Sequence, residues 1–441
     1  MKALISDKIY LTELSSGEAN NIKKTLTHRN PKYNAAVKFD YSTWDIPKNI
    51  KLYEETDYLV IPRGHFSLVK DFDIDDQRNS YPVKFKTSIE TRPYQERAIR
   101  LALAKDNGVV VAPTGSGKTT MAIELASRLG ERCLILVKSK DLATQWIGAI
   151  KQFTGLECGL IGGGKWQEGK EFTVALVQTL IKSERLLDYG MVIVDECHNI
   201  PAVQAYTVIN RQTAKYRFGL SATPQRRDNL EFMITAALGE IVAEITQNDV
   251  TGSVLPVHIA TKYFNFMGNP QSWVEFVNLL ANDPARNQML ISSAIKSSQT
   301  VGTAILTGTI AHAETLHSLA KSYGVNALLL HGQLPPKKRA QGMMNANQYN
   351  LIIGTLSLLS EGIDWPHVGN IIFASPVSAE VDRPDPAATR LLQAIGRGRR
   401  NFPGKVVTYV LDIVDNCAFG KSAYRKRSVI YEQQGFSVKA I

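Results

Sequence analysis

Residues 112–119 read Ala-Pro-Thr-Gly-Ser-Gly-Lys-Thr, and this octet leaves few options for the fold around it. A short apolar run, 109–111, precedes it and a helix-period pattern follows. A loop between a buried strand and a helix gathers backbone N–H groups and the positive end of the helix dipole around one anion. Pro113, Thr114, Gly115, Ser116, Gly117, Lys118, Thr119 and Thr120 are therefore read as triphosphate-binding residues. Lys118 would reach the β/γ-phosphates and Thr119 would ligate Mg²⁺. Seventy-seven positions after Lys118 comes Asp195-Glu196-Cys197-His198, closing the apolar run 191–194. Carboxylates at a strand's C-terminal end suit two tasks. Asp195 is assigned to Mg²⁺ and Glu196 to polarising the attacking water. The pair implies hydrolysis of a nucleoside triphosphate, and His198 is the histidine with a clear functional position.

The surrounding pattern sets the architecture. From about 90 to 250, strand-like runs (109–112, 133–137, 173–177, 191–194, 217–220) alternate with helical ones. One of these, 141–153, places Leu142, Trp146, Ala149, Ile150 and Phe153 on a single apolar face. Alternation of this kind predicts a parallel sheet covered on both sides. A second such block spans about 255–420, with strands at 301–306, 326–330, 351–354, 370–374 and 406–411, and carries no phosphate loop. The polar stretch 247–256 is read as the link between the blocks. Residues 1–88 form a small mixed region, with a helix over 16–26 and a linker over 71–88. Its Tyr33, Phe39, Tyr41, Trp44, Tyr53, Tyr58, Phe66 and Phe72 are expected mostly in the core, because a domain this small needs them. Lys23, Lys24, Arg29, Lys32 and Arg63 are read as duplex-phosphate contacts. Deleting 1–88 is expected to leave a folded ATPase.

Composition narrows the partners. The net charge of +10 and pI of about 9.2 favour a polyanion, most simply nucleic acid. No apolar run approaches the ~18 residues of a membrane span. The start lacks a signal-peptide h-region, and four scattered cysteines suit a reducing cytosolic setting.

Further motifs fall in order along the chain. Arg92-Pro93-Tyr94-Gln95 offers a stacking ring and an amide for a base edge. Ser221-Ala222-Thr223-Pro224 ends a strand with small hydroxyls. Gly354-Thr355 and Ser360-Glu361-Gly362-Ile363-Asp364 follow another strand, where hydroxyls can hold a nucleic-acid phosphate. Gln393, Arg397 and Arg400 close a helical pattern, the two arginines three apart on one face and Arg399 pointing elsewhere. Lys421, Arg425, Lys426 and Arg427 read as a solvated helix face.

The ordered series 92–95, 112–119, 137–141, Gln178-Thr179-Leu180, 195–198, 221–223, 354–364 and 393–400 resembles the superfamily 2 helicases over about 90–412. The resemblance implies an α/β chain of two tandem RecA-like parallel-sheet domains, here 89–250 and 251–441, after a small N-terminal α+β DNA-binding domain, 1–88. It also implies ATP and Mg²⁺ in the interdomain cleft, with Arg92, Tyr94, Gln95, Gly362, Asp364 and Gln393 added to the nucleotide site. Lys138, Gln178, Thr179 and Thr355 would contact nucleic acid, and Arg397 and Arg400 the γ-phosphate. Asp-Glu-Cys-His and Ser-Ala-Thr-Pro-Gln-Arg-Arg-Asp look like the XPB/UvsW branch, although Arg226-Arg227-Asp228 has Arg where that branch's Arg-Glu-Asp element has Glu. The expectation is a monomeric, cytoplasmic, 3′→5′ motor on forked or branched DNA, without membrane contact. An ATP-gated binding protein without strand separation and an RNA helicase are the alternatives.

Overall fold

The structure is a computed structural model. It describes the chain except residues 184, 199–201, 223–228, 251, 253, 358–364 and 379–385, and the side chains of 202, 336, 386 and 389. Residues 1–246, apart from the loop tip 114–116, form one compact unit, and residues 247–441 belong to a second.

The first unit is built on an eight-stranded sheet. Across it run Lys165–Gln167, Gly159–Gly162, Phe172–Leu176, Cys133–Val137, Met191–Val194, Tyr216–Ser221, Asn107–Val111 and Ile241–Glu244. All neighbours are parallel except the hairpin Gly159–Gly162/Lys165–Gln167. Cys133–Val137 and Met191–Val194 are buried along their whole length, because helices cover both faces. In a parallel sheet every strand ends on the same edge, where crevices form outside the carboxyl ends. One strand, Tyr216–Ser221, separates the phosphate-loop strand from the carboxylate strand. It stitches them together: Ala112 N–H donates to Ser221 O at 2.9 Å and Cys197 N–H to Leu220 O at 3.0 Å.

The second unit is an all-parallel sheet of seven strands in the order Ala327–Leu330, Leu351–Thr355, Gly302–Thr307, Val368–Phe373, Thr408–Asp415, Val257–Phe264 and Ser437–Ala440. Separate apolar clusters pack its two faces, one holding Ile352, Phe373, Leu391 and Ile395, the other Leu290, Ile305, Ile353 and Leu316. The C-terminal helix Ala418–Gln433 corrects one reading: Arg427 is fully buried, not solvated. Its guanidinium makes two 2.9 Å bonds to Asp412, which also accepts from Tyr431 Oη at 2.9 Å. A buried fork with its carboxylate satisfied is a structural strut. No described helix is long and apolar enough to cross a membrane.

The N-terminal region departs most from its sequence reading. Its five-stranded sheet runs Glu54–Glu55, Leu59–Ile61, Ile9–Thr12, Lys2–Ile5 and Asp73–Asp76. The core is aliphatic: Ala3, Ile5, Ile9, Leu11, Ile22, Leu26, Leu52, Leu59, Ile61 and Val69. None of the eight aromatics is fully buried; Tyr33, Tyr53 and Phe72 are half-buried, and Phe39, Tyr41, Trp44, Tyr58 and Phe66 are exposed. Only Tyr53 and Phe72 of the eight pack against this core, which also borrows apolar surface from Leu230, Met233 and Ala236 on and beside the helix Glu231–Leu238. Buried Arg63 fastens the join, donating to the Ala214 carbonyl at 2.6 Å and the Lys215 carbonyl at 2.7 Å. Residues 71–88 are not a linker either. Asp73–Asp76 pairs with Lys2–Ile5, and residues 79–88 lie along the larger sheet through Val83 N–H to Gly130 O and Ser88 N–H to Phe153 O, both 2.8 Å.

Candidate nucleotide site

The phosphate loop owes its shape to two left-handed glycines, Gly115 at φ +88° and Gly117 at φ +85°. Gly117 caps the helix Lys118–Leu129 without a side-chain acceptor, so the first-turn N–H groups point at the loop's interior. A Cβ on Gly117 would lie 2.4 Å from Gln95 Nε2 and 2.7 Å from Thr120 Oγ1, which only glycine avoids. Gln95 is held there by the helix Pro93–Leu103, its Oε1 accepting from Arg92 N–H at 2.9 Å. Tyr94 is buried in the same turn, with its hydroxyl accepting from Arg92 at 2.9 Å. Pro113, Thr114, Thr119 and Thr120 are half-buried and Ser116 is buried.

The carboxylates meet the loop from the neighbouring strand end. Lys118 Nζ donates to the Ala112 carbonyl at 3.1 Å and lies 3.5 Å from Glu196 Oε1. Glu196 sits at φ +45°, a left-handed conformation that costs a non-glycine residue of order 1 kcal/mol or more and recurs at functional sites. The turn brings Glu196 Oε2 within 3.4 Å of His198 Nδ1, which is 2.8 Å from Ser221 Oγ. Loop lysine, acid, histidine and the serine of the intervening strand thus form one connected set. Asp195 is buried and accepts from Trp146 Nε1 at 2.8 Å. Burial and the adjacent Glu196 push its carboxyl up to about 6, against the indole's bond and Lys118. Burial also pushes Glu196 upward, but Lys118, His198 and Lys138 together hold it below the usual carboxylate range. The two acids are driven apart, Asp195 made easier to protonate and Glu196 kept ionised.

Trp146 is the residue that sequence reasoning missed. Its place on an apolar helical face identified it as core, and it is 2% exposed. Only the packing of the helix Lys140–Thr154 beside the Met191–Val194 strand end aims its N–H at Asp195.

Other assigned residues lie at strand ends or on helices of each unit. Lys138 follows the Cys133–Val137 strand and is half-buried; exposed Gln178 and half-buried Thr179 lie on the short helix Val177–Leu180. In the second unit Thr355 ends its strand, buried, and Gln393 is buried on the helix Pro386–Gly398. That helix stops at Gly398, so Arg397 is on it and Arg400 is beyond it; the shared helical face does not exist. Burial lowers the pKa of the Arg400 guanidinium. Arg399 turns to Leu255 O at 2.9 Å and Gln247 Oε1 at 2.8 Å, anchoring the linker. Gly362 and Asp364, Thr223 and Arg226-Arg227-Asp228 lie outside the described residues.

Comparison with known proteins supplies the class. Residues 88–226 match the family model of the type III restriction enzyme res subunit, and residues 285–401 that of the helicase conserved C-terminal domain. These define an ATP-dependent helicase. The chain belongs to superfamily 2 of the helicases and has XPB-type relatives. It is 27% identical over 434 residues to the putative ATP-dependent RNA helicase L396 of Acanthamoeba polyphaga mimivirus, covering 89% of this chain and 79% of that protein. It is 30% identical over 188 residues to the DNA 3′-5′ translocase XPB2 of Sulfurisphaera tokodaii, covering 42% and 43%. The structure of S. cerevisiae Dbp5 bound to RNA and ADP BeF3 has the same fold, with a TM-score of 0.58 at 18% identity over 80% of this chain and 90% of that one.

Proposed function

We propose that the chain is a DNA helicase that hydrolyses ATP through Lys118, Asp195 and Glu196 and moves 3′→5′ on one strand of forked or branched DNA. The observation that carries the ATPase half is the connected set Lys118–Glu196–His198–Ser221. Glu196, held ionised, accepts the proton of the attacking water, while Lys118 and the loop N–H groups hold the β/γ-phosphates. The chemistry of the donors suits Mg²⁺: a buried carboxylate that accepts from the Trp146 indole, with the Thr119 hydroxyl on the adjoining helix turn. Bound there, Mg²⁺ would neutralise charge developing on the phosphates. Arg397 and Arg400 are proposed to stabilise the γ-phosphate, and Lys138, Gln178, Thr179 and Thr355 to hold the tracked strand. Gly362, Asp364 and Gln393 complete the proposed nucleotide contacts.

The net charge of +10 and the 3′-5′ translocase among the relatives support DNA as the track. The rival reading, an RNA helicase, draws on the mimivirus relative's name. Unwinding is compared on 3′- and 5′-tailed forks, four-way junctions, blunt duplex and RNA duplex, with Lys118→Ala and Glu196→Gln as controls. Glu196→Gln is expected to bind ATP without turnover and Lys118→Ala to lose productive binding. Preference for RNA duplex, or for 5′-tailed forks, refutes the proposal.

A further inference from the structure

Residues 27–51 leave the N-terminal domain as an ordered projection. Its stem is the antiparallel pair Thr27–Arg29 and Asn49–Lys51, seated by buried Leu26 and Leu52 and by His28 stacked on Phe232 at 4.2 Å. Its tip is the helix Pro31–Lys38 followed by the turn 39–48. Buried Asn30 clamps both ends of the tip. Its Oδ1 accepts from Lys32 N–H at 3.0 Å, its Nδ2 donates to Pro47 O at 2.8 Å, and its N–H donates to Lys48 O at 3.1 Å. Within the turn Tyr41 N–H bonds Ala36 O at 2.8 Å.

This built element spends its order on presenting aromatic rings to water. Phe39 is 62% exposed, Tyr41 71% and Trp44 97%, and the Phe39 and Tyr41 centroids are 6.3 Å apart. Large aromatics left exposed together on one short ordered element mark a binding surface. The charge says for what. Residues 27–51 hold five Lys or Arg and two Asp, whereas the rest of 1–88 holds nine basic and ten acidic residues. Arg29, Lys32, Lys38, Lys48 and Lys51 are exposed, and Lys38 Nζ lies 5.7 Å from the Phe39 ring.

We propose that this projection is a platform for an unpaired DNA strand, with bases stacked on Phe39, Tyr41 and Trp44 and phosphates on the flanking Lys38, Lys48 and neighbouring basic residues. Rings flanked by Lys38 and Lys48, with Asp40 and Asp45 set among them, fit stacked bases with phosphates to either side. Duplex DNA hides its base faces and would leave the rings idle. Protein interface cores are depleted of lysine, which disfavours a protein partner. The inference deepens the reading of the chain as a DNA motor, placing a second grip on the strand away from the nucleotide site.

The test uses the full chain without nucleotide. Binding of a labelled oligo(dT) and of a blunt duplex is measured by anisotropy for wild type, Trp44→Ala and a Phe39→Ala/Tyr41→Ala/Trp44→Ala variant. Quenching of the Trp44 emission is read as the difference between wild type and Trp44→Phe. Trp44→Ala is expected to weaken oligo(dT) binding about tenfold and the triple variant more, by a factor that does not change with salt because the rings neutralise no phosphate. Duplex affinity and DNA-free ATPase should stay within about twofold, and the Trp44 emission should be quenched by oligo(dT). Unchanged oligo(dT) affinity in the triple variant, equal loss for duplex, or equal quenching by poly-glutamate overturns the platform. Wild-type ATPase that DNA does not stimulate would refute the motor reading alone, since the ring-dependent affinity is scored without ATP.

Discussion

Replacing Trp146 with Phe tests how the buried indole serves the nucleotide site. The substitution keeps an aromatic ring in the core and removes the one N–H that donates to Asp195 Oδ2 at 2.8 Å. Losing a hydrogen bond to a charged group costs about 1.5–3 kcal/mol. At about 1.4 kcal/mol per unit, that raises the carboxyl's pKa by about one to two units. Burial and Glu196 already hold Asp195 above the usual carboxylate range, so the further rise lowers its ionised share at neutral pH. Turnover at pH 7 should therefore drop about two- to tenfold, with the acid limb of the rate profile displaced upward and the loss recovered at alkaline pH. Mg²⁺ competes with the proton for the same carboxylate, so raising Mg²⁺ should shrink the defect. Steady-state phosphate release across pH, at two Mg²⁺ concentrations, reads all three effects. A lower Tm alone is expected from the smaller ring, but it would not move the limb. An acid limb and a Mg²⁺ requirement identical to wild type would refute the reasoning.

Three further outcomes follow from the same structure. Asp195→Asn should abolish ATPase yet raise the Tm of the nucleotide-free protein: the folded pKa near 6 exceeds the unfolded value of 3.8, so the native acid loses stability as pH rises through that window. The gain in Tm should vanish below about pH 4, and its persistence there would count against burial as the cause. Gly117→Ala should cost about tenfold or more in ATP affinity by equilibrium titration, because its Cβ strikes Gln95 and the φ of +85° strains any L side chain. Deleting residues 1–88 should abolish the cooperative calorimetric transition of the first unit and spare that of residues 247–441, since it bares Leu230, Met233 and Ala236 and strips the Arg63 bonds to Ala214 and Lys215; a truncated chain that keeps both transitions would show that the shared core is dispensable.

The sequence by itself determined the two parallel-sheet blocks and the strand-end positions of the candidate nucleotide-site residues. Lys118, Asp195 and Glu196 are legible because strand–loop–helix continuity and an apolar run before each motif are local facts. A parallel sheet then delivers every strand end to one edge, so local order becomes spatial proximity. Tertiary structure decided whatever depends on what a residue packs against. Trp146 and Arg427 look like a core ring and a solvated cation, and become a donor to Asp195 and a buried strut. The three-residue spacing of Arg397 and Arg400 promised a shared face, but the helix ends between them at Gly398. The N-terminal aromatics follow the same rule. Burial is a property of the whole surface available, and the helix Glu231–Leu238, far away in sequence, supplies the apolar area that a domain of that size lacks. Phe39, Tyr41 and Trp44 are left at the surface, a placement that no periodicity within residues 1–88 encodes.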